Sequence, residues 1–416
     1  MDVAPKYLPR LADPTLAELT QVFPALLVTG PRAIGKTTTA ARHTHSELRL
    51  DRPGIAATVR ADPDAALRGR AEPILIDEWQ LAPEILGAVK RSVDMDRRPG
   101  RFIVTGSVHG RFDAPTWPGT GRLIHVRMTA LTARELLRQD LSSPAFVETL
   151  AGPGITGMTL PAQRPDLRGY LELALTGGFP EPALDLTERT RRLWSANYLT
   201  ELFTRDLDAV VGRRDTRRLT DFFRAYALNT AGVVPMSTLI EAARIDRRTG
   251  DSYEALLEDL YIVHAVPAWT PSRLSRMVKT PKRFVTDSGL VAGSIGLTAE
   301  GVPADHDVLG RLLETFVAAQ LRAELSLTDG NGTLYHLREQ DGRREIDLLI
   351  ERPDGRVIGI EVKATSAPTP AAAKHLRWLR DELGDRFAAG VVLHSGPEMF
   401  PIDHHITAVP ICALWT

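Results

Sequence analysis

The sequence predicts an α/β chain of several domains, on three observations. The run Pro24-Ala-Leu-Leu-Val-Thr29 is apolar, ends in a glycine turn and is followed by residues suited to a helix, Thr38 to Arg42. Near-continuous apolar runs recur at Ile74-Leu-Ile76, Phe102-Ile-Val104 and Leu123-Ile-His-Val126, separated by helical stretches. That pattern indicates a parallel sheet covered on both faces. From Leu309 onward the pattern reads helix, strand, strand, helix, strand, a separate α/β domain. At roughly 100–200 residues per domain, the 416 residues suggest about two to four domains.

Composition narrows the class. The chain is 43% hydrophobic and 25% charged, so disorder is excluded as its main state. Its 32 Gly and 29 Pro follow no short period, which excludes a collagen-like or coiled-coil rod. Cys412 is the one cysteine, so no disulfide scaffold exists, and a reducing cytoplasm is expected. The net charge of -1 gives no hint of a nucleic-acid or membrane partner, which must be argued from local patches. The start, Met-Asp-Val-Ala-Pro-Lys, is not that of a signal peptide, and no apolar run approaches the roughly 20 residues of a membrane helix. The expectation is a soluble, cytoplasmic protein. Only seven of the 51 basic residues are lysines, so each lysine merits a question.

The first loop carries the clearest chemistry. Gly30 to Thr37 fits G-x-x-x-x-G-K-[ST] at every fixed position, between an apolar strand and a helix. Glycines let such a loop curl until its N–H groups surround a β-phosphate, and the helix adds its positive end. The candidate nucleotide contacts are Gly30, Pro31, Arg32, Ala33, Ile34, Gly35, Lys36, Thr37 and Thr38. Lys36 would reach the β- and γ-phosphates of ATP, and Thr37 would ligate Mg²⁺. The second strand delivers Asp77 to its end, near the Mg²⁺, and Glu78 beside it can orient or deprotonate the attacking water. Ser107, at the end of the third strand, is a candidate contact to the γ-phosphate or the water, or a plain turn serine.

The P-loop, Ile74-Leu-Ile-Asp77-Glu78, Val104-Thr105-Gly106-Ser107 and Gly121-Arg122 resemble the ATPase domain of a prokaryotic AAA+ family with a C-terminal region of uncharacterised function. The resemblance continues through Gly177-Gly178-Phe-Pro-Glu181, Arg205-Asp206, Pro281-Lys282-Arg-Phe-Val-Thr-Asp287-Ser-Gly289-Leu290, Glu345-Ile-Asp347 and Glu361-Val-Lys363, and so covers almost the whole chain. It implies ATP binding and hydrolysis, a Walker A and Walker B site, and a nuclease-like C-terminal domain. It implies no particular biological role. AAA+ assemblies take an arginine finger from a neighbouring subunit. Arg122 is the candidate, and a homo-oligomer is the corresponding expectation.

The expected organisation is an ATPase domain over 1–140, a linker over 141–165, a helical and winged-helix region over 166–300 and a nuclease-like domain over 301–416. Gly152-Pro153-Gly154 and Pro161 to Pro165 punctuate the linker. Trp194, Tyr198, Leu202 and Phe203 recur at helical spacing, as do Leu219, Phe222, Phe223 and Tyr226. Thr238 to Glu241 reads as a capping box, Asp246 as the cap of a second helix carrying Tyr253, Leu256, Leu257 and Leu260, and Ile262 to Val266 as a wing strand. Winged helices place a helix N-terminus in the DNA major groove. Arg247, Arg248 and Thr249, with Arg213, Arg214, Arg217 and Arg218 close by, are then candidate phosphate contacts, or a solvated face. The Gly177-Gly178-Phe179-Pro180-Glu181 segment reads as a structural turn, or as a mobile hinge or a ligand-contacting loop.

Near the C-terminus, Pro353-Asp354-Gly355 suits a three-residue hairpin loop. Pairing Arg352 with Arg356 puts Asp347 opposite Glu361 and Glu345 opposite Lys363, all on one face. Two carboxylates so placed repel, and a bridging Mg²⁺ or Mn²⁺ would remove the penalty. Lys363 would then steady the attacking water or the phosphate. The arrangement resembles the PD-(D/E)xK nuclease core, in which a further acidic residue often comes from the preceding helix, and Glu314 fits that place. The opposing reading is a salt-bridged polar face. The function expected from the sequence is an ATP-dependent protein whose nuclease-like domain acts on DNA. The alternatives are an ATPase switch with a docking C-terminal domain, or a winged-helix transcription regulator.

Overall fold

The computed structural model describes residues 7–106, 121–152, 154–210, 216–277, 279–327, 332–339 and 342–416. Ser107, Arg213 and Arg214 therefore lie outside the described residues. The chain divides into two units. The first comprises residues up to Ala130 with Asp259–Tyr261, and the second comprises Leu131–Glu258 with Ile262–Thr416.

Five parallel strands form the sheet of the first unit: β1 (Ala25–Thr29), β2 (Ser46–Arg49), β3 (Ile74–Asp77), β4 (Phe102–Thr105) and β5 (Leu123–Arg127). Their order is β2-β3-β4-β1-β5. All residues of β1, β3 and β4 are buried, which is why these strands read as unbroken apolar runs. The sequence reading missed β2. It is an edge strand of mostly polar residues in which Leu48 alone is buried, so it carries no strand-like apolar pattern. The helix Ile85–Met95 covers one face through Ile85, Leu86, Val89 and Val93. The register pairs Val28 with Thr105 and Ile76 with Val104. Parallel pairing in that register brings Thr29, Asp77 and Thr105 to one edge of the sheet.

The second unit begins at Leu131, whose N–H donates to Gly178 O at 2.7 Å, and the Ala133 N–H donates to Gln320 at 2.7 Å. The sequence reading placed the end of the N-terminal domain at 140. The stretch 141–165, read as a linker, carries the helix Phe146–Ala151, and Phe146 and Val147 are buried. The long helix Glu188–Val210 and the helix Thr216–Leu228 follow, the latter burying Leu219, Phe222, Phe223 and Tyr226. Tyr253, on the helix Arg247–Asp259, meets Phe222 edge-on at 5.9 Å. Asp246 caps that helix by accepting the Thr249 N–H at 2.9 Å. The shorter helix Met236–Ala243 corrects an expectation, since Thr238 lies inside it. Pro235, with extended ψ, starts the helix earlier, and the Thr238 N–H donates to the Pro235 carbonyl. Two antiparallel strands, β6 (Val263–Val266) and β7 (Lys282–Val285), complete the region.

A six-stranded mixed sheet closes the chain, from β8 (Thr333–Glu339), β9 (Arg344–Glu351), β10 (Val357–Lys363), β11 (Phe387–His394), β12 (Phe400–Asp403) and β13 (Ile406–Pro410). The order is β12-β13-β11-β10-β9-β8. The hairpin turns at Pro353-Asp354-Gly355, with Gly355 at φ 81° and the Arg352 N–H on Arg356 O. Its ladder runs from Val357↔Glu351 to Ile360↔Leu348, the register that the turn predicts. It stops there, because the Asp347 carboxylate accepts the Val362 N–H at 2.8 Å. The expected continuation to Glu361–Asp347 and Lys363–Glu345 is thus not laddered. Among the described residues no helix is long and apolar enough to cross a membrane.

Two sequence motifs meet inside this unit. The Gly178 N–H donates to Asp287 Oδ2 at 2.7 Å, and Asp287 Oδ1 accepts the Leu290 N–H at 3.0 Å, capping the helix Ser288–Ile295. A Cβ on Gly178 would sit 2.0 Å from the Leu131 carbonyl oxygen, so only glycine fits there. The Gly-Gly segment is a packed turn, and Asp287 is its clasp. Asp287→Ala orphans two buried N–H groups and should cost about 2–4 kcal/mol. Asp287→Asn, which keeps one acceptor, should cost less. Urea unfolding of both variants checks the order.

Candidate functional site

The loop Gly30–Gly35 leaves β1 and enters the helix Lys36–Ala41 at the edge where β3 and β4 also end. Gly30 has φ 147°, and a Cβ on it would stand 2.3 Å from the Met128 carbonyl oxygen. Lys36 is 6% exposed, and its ammonium donates to the carbonyls of Gly30 at 3.0 Å and Pro31 at 2.6 Å. Burial lowers its pKa to about 8, against the opposing pull of Glu78 and Asp77. Thr37 Oγ1 donates to Asp77 Oδ1 at 2.7 Å, and Thr105 Oγ1 donates to the same oxygen. Glu78 follows in a left-handed conformation, φ 56°, and accepts a hydrogen bond from the Gln80 amide.

Lys36, Thr37, Asp77 and Glu78 therefore gather at one edge, as the spacing of the motifs predicts. The donor set fits a nucleotide with Mg²⁺. A hydroxyl and a carboxylate oxygen already in contact suit a hard cation, and the buried ammonium suits phosphate. Thr105 and Gln80 carry no signal of their own in the sequence. Thr105 ends an apolar run, where its Asp77 contact depends on the β3–β4 register. Arg122 stands elsewhere. Leu123 pairs with Ala25 at the start of β1, whereas the loop follows Thr29 at its end. One strand, about 17 Å at 3.3 Å per residue, separates Arg122 from this chain's own loop. It pairs with Asp94 at 2.9 Å.

The second unit holds a buried charge cluster. Lys282, on β7 and 2% exposed, forms an ion pair with Glu314 on the helix His306–Leu327 and lies 3.8 Å from Asp347 Oδ1. Lys363 Nζ reaches Asp347 Oδ2 at 3.5 Å and Glu361 Oε2 at 2.6 Å. Burial pushes the Glu314 carboxyl up to about 8, and burial with Asp347 nearby pushes Glu361 well up. Burial would raise Asp347 too, but the ammoniums of Lys282 and Lys363 hold it below the usual range. Burial also disfavours charged Lys282, and Glu314 and Asp347 outweigh it. A cavity of about 320 Å³ opens beside Lys282, Glu314, Asp347 and Lys363. Glu345 lines the same cavity and lies 4.0 Å from Arg338.

The sequence leads to the expectation that Asp347 and Glu361 share a divalent ion, with Glu314 as the further acidic residue that the resemblance implies. Among the described residues no group of three His, Cys, Asp or Glu side chains is arranged to hold one. Lys282 links Glu314 with Asp347, and Lys363 links Asp347 with Glu361. No role for Lys282 is legible in the sequence, because only the fold brings β7 against the helix and hairpin. Its rarity as a lysine was the available signal.

Residues 22–137 match the family model described as an AAA domain. The first unit carries an AAA-type ATPase domain. Residues 167–301 and 309–414 match two domains of unknown function, DUF8612 and DUF4143. The uncharacterized proteins Rv2008c of Mycobacterium tuberculosis and Mb2031c of Mycobacterium bovis are each 28% identical over 397 residues, 93% of this chain and 80% of theirs. Among solved structures, the Walker-type ATPase PABY2304 of Pyrococcus abyssi aligns over 68% of this chain and 94% of its own, at 13% identity and a TM-score of 0.38. AMPPCP-bound DnaA from Aquifex aeolicus aligns over 60% and 86%, at 11% identity and 0.24.

Two outcomes follow from the charges. Phosphate raises the pKa of a contacting ammonium, so nucleotide binding takes up a proton once free Lys36 has lost its own. ATP affinity should be flat below pH about 8 and weaken above it, by at most about tenfold per pH unit. Calorimetric titrations from pH 6.5 to 9.5 read this directly. In the second unit, Lys282→Met leaves buried carboxylates without their ammonium and should cost about 3–5 kcal/mol, measured by denaturant unfolding.

Proposed function

We propose that this protein is an ATP-driven switch, in which the first unit binds and hydrolyses ATP–Mg²⁺ and the C-terminal domain docks a partner instead of cutting DNA. The observation that carries it is the convergence of Lys36, Thr37, Asp77 and Glu78 at one sheet edge. The loop amides from Gly30 to Thr38, with Pro31, Arg32, Ala33, Ile34 and Gly35 between, would cradle the phosphates. Thr37 and Asp77 would hold Mg²⁺, and Glu78 would take a proton from the attacking water. Arg122 would act as an arginine finger only on a second copy of the chain, since it lies at the opposite edge from its own loop. The docking reading of the C-terminal domain rests on Lys282, an ammonium between Glu314 and Asp347 that the nuclease arrangement does not call for.

A second reading takes DNA as the partner. Arg247 and Arg248 are exposed at the start of a helix that follows two others and precedes the β6–β7 pair, the element order of a winged helix. Arg247 already pairs with Asp251 at 2.9 Å, and Thr249 serves the Asp246 cap, which favours the solvated face. Binding of a DNA duplex that falls steeply with salt and is lost on reversing Arg247 and Arg248 would favour the DNA reading. Cleavage of that duplex with Mg²⁺ or Mn²⁺ would restore the nuclease reading.

Steady-state hydrolysis tests the switch. Glu78→Gln should keep ATP affinity and lose about 100-fold or more in turnover. Specific activity should rise with protein concentration and fall about 1000-fold in Arg122→Ala. Turnover unchanged in Glu78→Gln overturns the assignment of the base. Turnover independent of concentration overturns the finger.

A further inference from the structure

The segment just before the first helix, Ala12–Val22, has a role that the P-loop motif does not include. Arg10 is 5% exposed. Its Nη1 donates to the Ile34 carbonyl at 2.7 Å, and its Nη2 donates to the Thr129 carbonyl at 2.8 Å. Asp13 fixes the strap by accepting the Arg10 N–H at 2.8 Å, the Tyr7 hydroxyl at 2.8 Å and a contact from His43 Nε2 at 3.1 Å. Tyr7 in turn reaches Thr39 Oγ1, on the helix that follows the loop, at 3.3 Å. A buried guanidinium thus joins the middle of the phosphate loop to the backbone beyond β5.

Peptide geometry gives this contact a consequence. In a trans peptide the carbonyl of one residue and the N–H of the next point in opposite directions. Holding the Ile34 carbonyl outward therefore turns the Gly35 N–H inward, toward the centre of the loop. That amide is one of the donors a phosphate-binding loop needs. The loop is also costly to keep in shape, because Ala33 takes φ 61°, a conformation that side chains other than glycine rarely adopt. A fixed external contact is what over-determines it.

We propose that Arg10 is a positioning residue of the nucleotide site, holding the Ile34 carbonyl so that the Gly35 amide faces the β-phosphate. The inference rests on the ATP-binding reading. It differs from the motif's own residues in that Arg10 acts through the loop backbone, at the Ile34 carbonyl.

The test compares ligands with and without a β-phosphate. Wild type, Arg10→Ala and Arg10→Lys are titrated with ATP–Mg²⁺, ADP–Mg²⁺ and AMP by calorimetry. Arg10→Ala should weaken ATP and ADP equally, by about 10- to 100-fold, the worth of a hydrogen bond from a charged donor. AMP binding should not change. KM for ATP should rise by the same factor with kcat nearly unchanged, because the interaction is present in ground and transition states alike. Arg10→Lys keeps one donor and should recover part of the loss. If Arg10→Ala does not fold, Arg10→Lys decides alone, with weaker ADP and unchanged AMP expected. Equal loss for AMP, or no loss for ADP, overturns the proposal. Absence of ATP binding in the wild type would instead defeat the ATP reading itself.

Discussion

A charge taken out of water has to be met by an opposite charge or by several fixed dipoles, and the phosphate loop and the Lys282 cluster are organised by that requirement. In the first unit the Lys36 ammonium rests on two carbonyls of its own loop, with Asp77 and Glu78 near enough to oppose the loss of its proton. In the second unit Lys282 and Lys363 are spaced among three carboxylates. The first arrangement holds a cation ready for phosphate. The second pairs its cations with carboxylates of its own unit.

Parallel strand pairing gives the first centre its precision. Residues that lie 40 and 28 positions from each other, Thr37 to Asp77 and Asp77 to Thr105, are joined by hydrogen bonds through a single carboxylate oxygen. A strand shifted by one residue would turn that oxygen to the other face of the sheet. The second unit uses a different device. Glycines at 177 and 178 admit close backbone approach, and Asp287 takes the N–H groups that the approach exposes.

How far the sequence reached can be followed residue by residue. The P-loop was legible because its spacing is local, and β1, β3 and β4 were legible because burial on both faces leaves no polar positions. β2 was not, since an edge strand keeps its polar residues. The hairpin register from Val357 to Ile360 followed from three turn residues. Its end did not, because a side chain, Asp347, took over a ladder N–H. Thr238 misled because a serine-like cap pattern also occurs inside a helix that a proline has already begun.

The sequence by itself determined the phosphate loop, the acidic pair at the end of β3, the helical centre and the sheet that follows it, because each depends on neighbours a few residues apart. The tertiary structure decided which charges neutralise which. Lys282 and Glu314 are 32 residues apart on a strand and a helix, and Arg10 meets Ile34 across the first strand. Contacts of this kind leave no periodicity, because they are selected by how packed elements present single side chains to one another.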